Sequence, residues 1–210
     1  MDVKEQISQV RRTLGSRVLE AGEARVMTIS QVYDTDIDDL WEVVTSAERI
    51  PRWFLPISGE LKEGGRYELT GNASGTISRC DKPHGYDATW EFGGQISWIE
   101  VRLNAEDGGT RFTLEHVAHV EEQFWDVYGP GATGVGWDLG LYGLASYISE
   151  RENAPHPSTM QDWHTTVAGQ TFMRSSTDAW AAASVAQGED PEAAKARADR
   201  TYAFYTGTEA

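Results

Sequence analysis

The sequence predicts an α+β fold in which a curved antiparallel β-sheet wraps around a long C-terminal helix. Apolar and polar residues alternate with a period of two through 57–119, and short glycine-containing turns divide the alternating runs. Apolar residues recur at helical spacing on either side of this region, at 37–44 and 137–148. Consecutive strands joined by tight turns form an antiparallel meander, and its apolar face needs a helix to cover it.

Three elements are predicted before the meander. Apolar residues at helical spacing indicate a short amphipathic helix over 3–14. The stretch 24–33 is rich in β-branched residues and indicates a strand. Thr35 and Asp38 match a capping pattern, so a helix is predicted to begin at Thr35.

The meander is predicted to contain six strands, followed by helices. Its turns are 63–65, 82–85, 93–94 and 107–109. A long helix is predicted over 135–150, and Pro155 and Pro157 mark its end because proline cannot continue a helix. Helical patterns continue to the C-terminus from a capping box formed by Ser158 and Gln161.

The chain of 210 residues is long enough for one domain with an appendage. We expect an N-terminal arm at 1–22 and a central domain at 23–152. A helical extension at 153–210 is expected to pack on that domain or on a partner subunit, and self-association into a homodimer is a further expectation.

Composition excludes several classes of protein. The net charge of −15 argues against nucleic acid or an anionic membrane as a partner, because phosphate contacts need clustered Lys and Arg. A single cysteine, Cys80, cannot form an internal disulfide or a cysteine zinc site. The N-terminus lacks the hydrophobic segment of a signal peptide, so we expect a cytoplasmic protein.

Several motifs in order along the chain resemble a known family. They are the segment 28–54 with Trp41 and the run Pro51-Arg52-Trp53-Phe54, the segments 63–68, 89–92 and 109–116, and Gly136-Trp137 at the start of a helix. From Val26 to about Tyr147 the chain resembles the SRPBCC (START-like, helix-grip) superfamily. Within it, the chain is similar to the domain of the activator of heat-shock-protein-90 ATPase.

The resemblance implies a helix-grip fold with an internal cavity, but it does not imply a reaction. The superfamily includes carriers, cyclases, dehydratase-like enzymes and cochaperones, and a fold does not determine function. A chaperone partner is implied only by this resemblance.

Two motifs could be mistaken for nucleotide or metal sites. Gly129, Gly131 and Gly134 spell a dinucleotide fingerprint, but the segment before it is predicted to be helical rather than a strand. We therefore expect a flexible connection there. His116 and His119 lie on a predicted strand, where this spacing directs two side chains to opposite faces. No metal and no cofactor are predicted, and His116 is expected to point inward.

Other reactive groups give weak signals. No serine lies in a nucleophile elbow, and Cys80 is expected to be a buried, inert thiol. The acidic residues Asp34, Asp36, Asp38 and Asp39 are expected to be a solvated helix start. The catalytic residues are therefore unknown, and we lean against an enzyme.

Aromatic residues are the most informative feature, since the chain holds eight tryptophans. The candidates for a cavity wall are Trp53, Phe54, Tyr67, Trp90, Phe92, His116, Phe124, Tyr128, Trp137 and Leu141. Trp98 has the opposite parity to Ile99 and Val101, which predicts a contact surface on the outer face of the sheet.

Three functions remain open from the sequence. The first is binding of a small hydrophobic or aromatic molecule between the sheet and the helix 135–150, oriented by His116, Tyr67 or Tyr128. The second is an enzyme of cyclase, hydrolase or dehydratase type that acts on a hydrophobic substrate in the same cavity. The third is a cochaperone-like interaction protein.

Overall fold

The computed structural model describes residues 2–159 and 162–208. The helices are α1 (Val3–Gln9), α2 (Ile37–Thr45), α3 (Glu122–Tyr128), α4 (Gly131–Glu150), α5 (Val167–Ala186) and α6 (Pro191–Thr206). The strands are β1 (Arg11–Leu19), β2 (Gly22–Tyr33), β3 (Ile57–Gly59), β4 (Arg66–Leu69), β5 (Ser74–Asp81), β6 (Gly85–Phe92), β7 (Gln95–Glu106) and β8 (Gly109–Ala118). The predicted α+β fold, with an antiparallel sheet, a long helix and C-terminal helices, is confirmed.

The strands form one eight-stranded sheet in the order β1-β2-β8-β7-β6-β5-β4-β3. The six strands predicted for the meander are β3 to β8, and each pairs with its neighbour in sequence, antiparallel. Because each connection is a short turn, every strand returns beside the one before it.

The chain divides into two compact units, which are described separately. The sheet unit comprises Ser30–Ala118 and Gly143–Pro157. The helical unit comprises Met1–Ile29, His119–Tyr142 and Ser158–Ala210. Strand β2 and helix α4 each contribute residues to both units. The domain boundaries expected from the sequence stay a prediction.

In the sheet unit, α2 begins one residue later than predicted. Asp36 is the N-cap, and its carboxylate accepts a hydrogen bond from the Asp39 backbone N–H at 2.8 Å. Thr35 instead donates to the Asp39 carboxylate at 2.6 Å. An aspartate is as good a cap as threonine, and the first turn is satisfied either way. The buried face of α2 carries Leu40, Trp41, Val43 and Val44.

Asp39 also anchors the end of α4 inside the sheet unit. Its carboxylate pairs with Arg49 and Arg151, each at 2.8 Å. Burial alone would raise the pKa of Asp39, but hydrogen bonds from Thr35, Arg151 and Arg49 lower that pKa to about 2. Asp39 is therefore an ion-pair partner rather than part of a merely solvated acidic start.

The N-terminal helix is shorter than predicted. Helix α1 ends at Gln9, and the chain continues directly into β1. Leu14 lies in β1, although its spacing fits the apolar stripe of the helix. The alternating exposure of β1 involves few large apolar residues, so its strand pattern was hidden by the helical spacing of the residues before it.

The helical unit has its own apolar core. Ile7, Val135, Phe172 and Met173 are buried together, and aromatic side chains surround them. Tyr142 stacks on Trp163 with ring centroids 5.2 Å apart. The core therefore joins α1, α4 and α5, three segments far apart in sequence.

A buried ion pair stabilises the same unit. The carboxylate of Asp138 on α4 accepts hydrogen bonds from Arg12 Nη2 at 2.6 Å, Ser176 Oγ at 2.5 Å and Trp180 Nε1 at 3.0 Å. Neither charged side chain is more than 5% exposed. A buried carboxylate is tolerated when a counter-charge and further donors surround it, and here these come from β1 and α5.

The expected flexible glycine connection is wrong. Gly131 and Gly134 lie in the first turn of α4, where the Gly134 N–H donates to the Pro130 carbonyl at 2.9 Å. A Cβ on Gly134 would collide with the indole ring of Trp180. Gly134 allows α4 and α5 to approach closely. Helix packing therefore explains this glycine without a dinucleotide site.

The first long helix after α4 begins later than the predicted capping box suggested. Helix α5 starts at Val167, where Thr166 caps it by accepting from the Gly169 N–H at 3.1 Å. Ser158 lies in a short 3-10 turn, Pro157–Thr159, and its predicted partner Gln161 lies outside the described residues. Helix α6 is capped by Asp190 ahead of Pro191, as predicted.

Substituting Gly134→Ala tests the close packing of α4 against α5. Trp180 is 1% exposed and its Nε1 is bonded to Asp138, so the ring cannot move aside. We expect the free energy of unfolding, measured with urea, to fall by about 1–3 kcal/mol.

Gly136→Ala is the matched control in the same helix. Its Cβ would meet only Tyr205 Oη, at 3.6 Å. Alanine is favoured over glycine in a helix by up to about 1 kcal/mol, so this variant should be neutral or more stable. Equal losses in both variants would contradict the packing described for Trp180.

Candidate functional site

Strands β6, β7 and β8 of the sheet unit separate apolar from charged residues by face. The inner face is defined by the alternately buried residues of β7 and β8, and it includes the residues of β6 that pair with them in register. Its residues are Tyr86, Ala88 and Trp90 of β6, Ser97, Ile99, Val101 and Leu103 of β7, and Thr110, Phe112, Leu114 and His116 of β8. The register pairs Trp90 with Ser97 and Ile99 with His116, which places all four on the same face.

The opposite, outer face carries the charges of these strands. Arg102 pairs with Asp87 and with Glu100, and Arg66 of β4 pairs with Glu91 at 2.9 Å. Alternation sends successive side chains to opposite faces, so charges confined to outer-face positions leave the inner face uncharged.

A serine and a histidine form a buried polar pair on the inner face. His116 Nε2 lies 2.7 Å from Ser97 Oγ, and the Ser97 hydroxyl donates to the Trp90 carbonyl at 3.1 Å. A hydroxyl has one proton to donate. We therefore assign the Nε2-protonated tautomer to His116, which donates to Ser97.

Burial keeps His116 neutral. The histidine is 7% exposed, and desolvation lowers its pKa to about 4. At neutral pH the imidazole is a weak base, which disfavours a general-base role. The pair offers hydrogen bonding without charge.

Two aromatic side chains on the inner face remain partly accessible. Trp90 and Tyr86 are both of intermediate exposure, although their strand neighbours Ala88, Ile99 and Val101 are buried. The Trp90 ring centroid is 6.3 Å from that of His116. Burial raises the pKa of the Tyr86 hydroxyl above its usual value.

Tyr67 is fixed by the sheet itself. Its hydroxyl donates to the Thr89 carbonyl at 2.7 Å, and its ring covers Gly75, where an added Cβ would come within 2.9 Å of Tyr67 Cε1. Burial raises the pKa of Tyr67. Its proton is already engaged, so its assignment as a polar ligand contact stays a prediction.

Trp53 and Phe54 join α2 to the C-terminal half of α4 in the sheet unit. Trp53 Nε1 donates to the Val43 carbonyl at 3.0 Å, and the two rings stack at 5.4 Å. A Cβ on Gly143 would collide with the Trp53 carbonyl oxygen. Both aromatics are of intermediate exposure, so they contribute to packing and also present surface.

The remaining cavity candidates lie elsewhere. Phe92 ends β6 at the hairpin turn and is 56% exposed. Phe124, Tyr128, Trp137 and Leu141 belong to the helical unit, and Phe124 is 46% exposed on α3. Their assignment to a ligand site stays a prediction, and the pair Ser97–His116 with Trp90 and Tyr86 is the group that the structure brings together.

Trp98 and Cys80 lie outside this group. Trp98 is of intermediate exposure and pairs in register with Thr89 and Val117, at a position whose parity puts it on the outer face. Its role as a contact surface stays a prediction.

Cys80 is exposed near the end of β5, so the expected buried thiol is wrong. The strand leaves the core after Ile77, and its last four residues are all exposed.

His119 lies just after β8 and is exposed. Its Nδ1 is 3.1 Å from the Glu23 carbonyl oxygen within the helical unit.

Over residues 2–159 and 162–208, no three His, Cys, Asp or Glu side chains gather as a metal site would require. Within the same ranges, no helix is long and apolar enough to cross a membrane.

Sequence reasoning missed Ser97 and Asp138. Ser97 could have been found, because it is in phase with Ile99 and Val101 and a polar residue on a buried face calls for a partner. Asp138 had no such signal, since its partners Arg12, Ser176 and Trp180 lie up to 126 residues away along the chain.

Several solved structures are similar to this chain in fold. The crystal structure of CalU16 from Micromonospora echinospora is 35% identical, with a TM-score of 0.66 over 86% of this chain and 99% of that one. Its solution NMR structure gives 36% identity and a TM-score of 0.69 over 86% and 97% of the two chains. Protein MLL2253 from Mesorhizobium loti shares the fold at 16% identity, with a TM-score of 0.54 over 60% and 98%.

No curated protein sequence matches the chain. A family model does match, over residues 34–149, which is more than half of the chain. This range holds the meander, α2 and most of α4, the same elements that carry the motifs quoted from the sequence. The chain belongs to the family described as Activator of Hsp90 ATPase homolog 1-like protein.

Proposed function

We propose that the protein binds a small hydrophobic or aromatic molecule against the inner face of the sheet unit. The observation that carries this proposal is the partial exposure of Trp90 and Tyr86 on a face that is otherwise buried and uncharged. The neutral Ser97–His116 pair lies beside Trp90 and supplies hydrogen-bonding groups.

The physical basis is burial of apolar surface. Removing apolar area from water contributes roughly 25 cal/mol per Å², and an aromatic ligand on Trp90 would gain area from both partners. Ligand sites in proteins are mostly apolar with a few placed polar groups, and the inner face has this composition. Orientation would come from Ser97 and His116, which are held in place by their bond to each other.

A second candidate is a protein-interaction role, in keeping with the family's description as activators of Hsp90 ATPase. An aromatic patch on the helical unit favours it. Phe124 is 5.2 Å from Tyr128, and Tyr128 is 5.6 Å from Phe204, which is 65% exposed. A contiguous exposed apolar patch of this kind is typical of a contact surface.

Replacing Trp90 should weaken binding of an apolar probe. We expect Nile red, a neutral dye, to bind saturably to the wild-type protein, with the dissociation constant rising about tenfold or more in Trp90→Ala. The measurement is dye fluorescence against protein concentration.

Trp98→Ala is the control, since it removes an equal ring from the outer face of the same sheet. Circular dichroism would verify that both variants fold. Absence of saturable dye binding, or equal loss in the two variants, would overturn the proposed site.

The second candidate predicts a change in chaperone activity. We expect the protein to raise the ATP hydrolysis rate of an Hsp90-class chaperone, and Phe204→Ser to reduce that effect because it removes the most exposed ring of the patch. Phe92→Ser is the control, because it removes an exposed ring that is not part of the patch. An unchanged hydrolysis rate with wild-type protein would remove this candidate.

His116 should make stability depend on pH. Burial lowers its pKa from 6.5 to about 4. Between these values the unfolded chain binds a proton that the folded protein does not, so stability falls as the pH is lowered through this window. We expect the wild type to lose about 2 kcal/mol between pH 7 and pH 5 from this group.

His116→Gln keeps a side-chain donor for Ser97 but does not titrate. Urea unfolding at both pH values should therefore show a smaller loss in the variant than in the wild type. Parallel losses would mean that His116 titrates normally and is not held neutral by burial.

A further inference from the structure

We infer that the ligand of the inner face is an uncharged aromatic compound with a neutral hydrogen-bond donor, such as a hydroxyl group, which donates to Ser97 Oγ. This inference rests on the proposed function and specifies the chemistry of its ligand. It follows from the charges and the hydrogen-bond valences around Trp90.

Over the side chains that the structure describes, the interior of the sheet unit offers no counter-charge to an ionic ligand. Among its described residues, the buried polar side chains are Ser30, Gln31, Ser97, Thr110, His116 and Ser146. None of them is charged at neutral pH, because His116 stays unprotonated there. An ionised group moved onto this face would lose its hydration without gaining a partner of opposite charge, at a cost far above that of a neutral polar group.

Three arginines of the sheet strands form ion pairs on the outer face. Arg66 pairs with Glu91, Arg102 with Asp87, and Arg111 with Glu106. All three arginines have outer-face parity. A ligand carboxylate on the inner face would therefore meet aromatic and aliphatic side chains instead of a guanidinium group.

The hydrogen bonds that Ser97 already makes favour a ligand that donates a hydrogen bond to it. Its proton goes to the Trp90 carbonyl at 3.1 Å, and one lone pair accepts from His116 Nε2 at 2.7 Å. A hydroxyl oxygen has two lone pairs, so Ser97 Oγ can accept one more hydrogen bond. Ser97 keeps 9% of its surface exposed and lies opposite Trp90 in the strand register.

Two other hydroxyls on this side of the sheet are already engaged as donors. Thr110 Oγ1 donates to the Thr35 carbonyl at 2.8 Å, at the far end of β8 from His116. Tyr67 donates to the Thr89 carbonyl at 2.7 Å. Each of these three hydroxyl oxygens keeps an accepting lone pair, but of the three only Ser97 is the register partner of the partly exposed Trp90.

Three probes with the same naphthalene ring test the inference by isothermal titration calorimetry at pH 7. They are 2-naphthol, a neutral donor; 2-methoxynaphthalene, which has no donor; and 2-naphthoate, which is ionised. We expect 2-naphthol to bind several-fold more tightly than 2-methoxynaphthalene, as one neutral hydrogen bond allows. We expect 2-naphthoate to bind at least about a hundredfold more weakly than 2-naphthol.

Two variants locate the effect. Ser97→Ala should bring the affinity for 2-naphthol down to that for 2-methoxynaphthalene and leave the latter unchanged. Ser97→Thr keeps the hydroxyl and should preserve the preference. The comparison of probes on the wild-type protein does not depend on either variant folding.

The outcomes separate this inference from the proposed function. If all three probes bind with similar affinity, the inner face binds apolar molecules but does not select neutral donors, and the inference fails alone. If 2-naphthoate binds most tightly, a cation reaches the site and the inference is wrong. If none of the probes binds, the proposed function fails and the inference fails with it.

Discussion

The cost of removing charge from water governs how the sheet unit is built. An isolated buried charge is so unfavourable that the strand residues with carboxylates or guanidinium groups lie on one face, where they pair in contact with water. Asp87, Glu91 and Arg102 show the arrangement, each alternating with an apolar or aromatic residue of the opposite face. The inner face is left with neutral polarity only, in Ser97 and His116. Its capacity to hold an apolar molecule follows from this separation.

In the helical unit a charge is buried, and its desolvation cost is compensated by partners around it. Its buried carboxylate, Asp138, is compensated by the Arg12 guanidinium and by donors from Ser176 and Trp180. Burial raises the pKa of Asp138, while these partners favour its charged form. The residues that satisfy Asp138 come from β1 and α5, so segments outside the family-matched range 34–149 are tied to α4 by polar contacts as well as by the apolar core.

Much of this fold was predictable because its strands alternate strictly and its turns are marked by glycine. The six strands of the meander and the long helix follow from local patterns of two and 3.6 residues per period. Strand β1 was not predictable, because Leu14 continued the spacing of α1 and the strand has no strongly apolar face. The start of α4 was obscured by Gly131 and Gly134, which are unusual in a helix. Gly134 is explained by the nearby Trp180, and Gly131 faces the side chain of Thr201 on α6.

The candidate site was predictable in part. The parity of β6 and β8 placed Trp90 and His116 on the buried side of the sheet, and the structure agrees. The sequence could not reveal that His116 bonds to Ser97, because their pairing depends on the register of β7 against β8. Parity also placed Phe92 on that side, but it cannot report that the strand has reached the end of the sheet, where side chains are exposed.

A crystal structure of the protein with 2-naphthol bound would test the central claim most directly. We expect the naphthol ring to lie against Trp90 on the inner face, with its hydroxyl oxygen within hydrogen-bond distance of Ser97 Oγ. Naphthol density on the outer face near Trp98 or on the patch around Phe204, with the inner face empty, would contradict it.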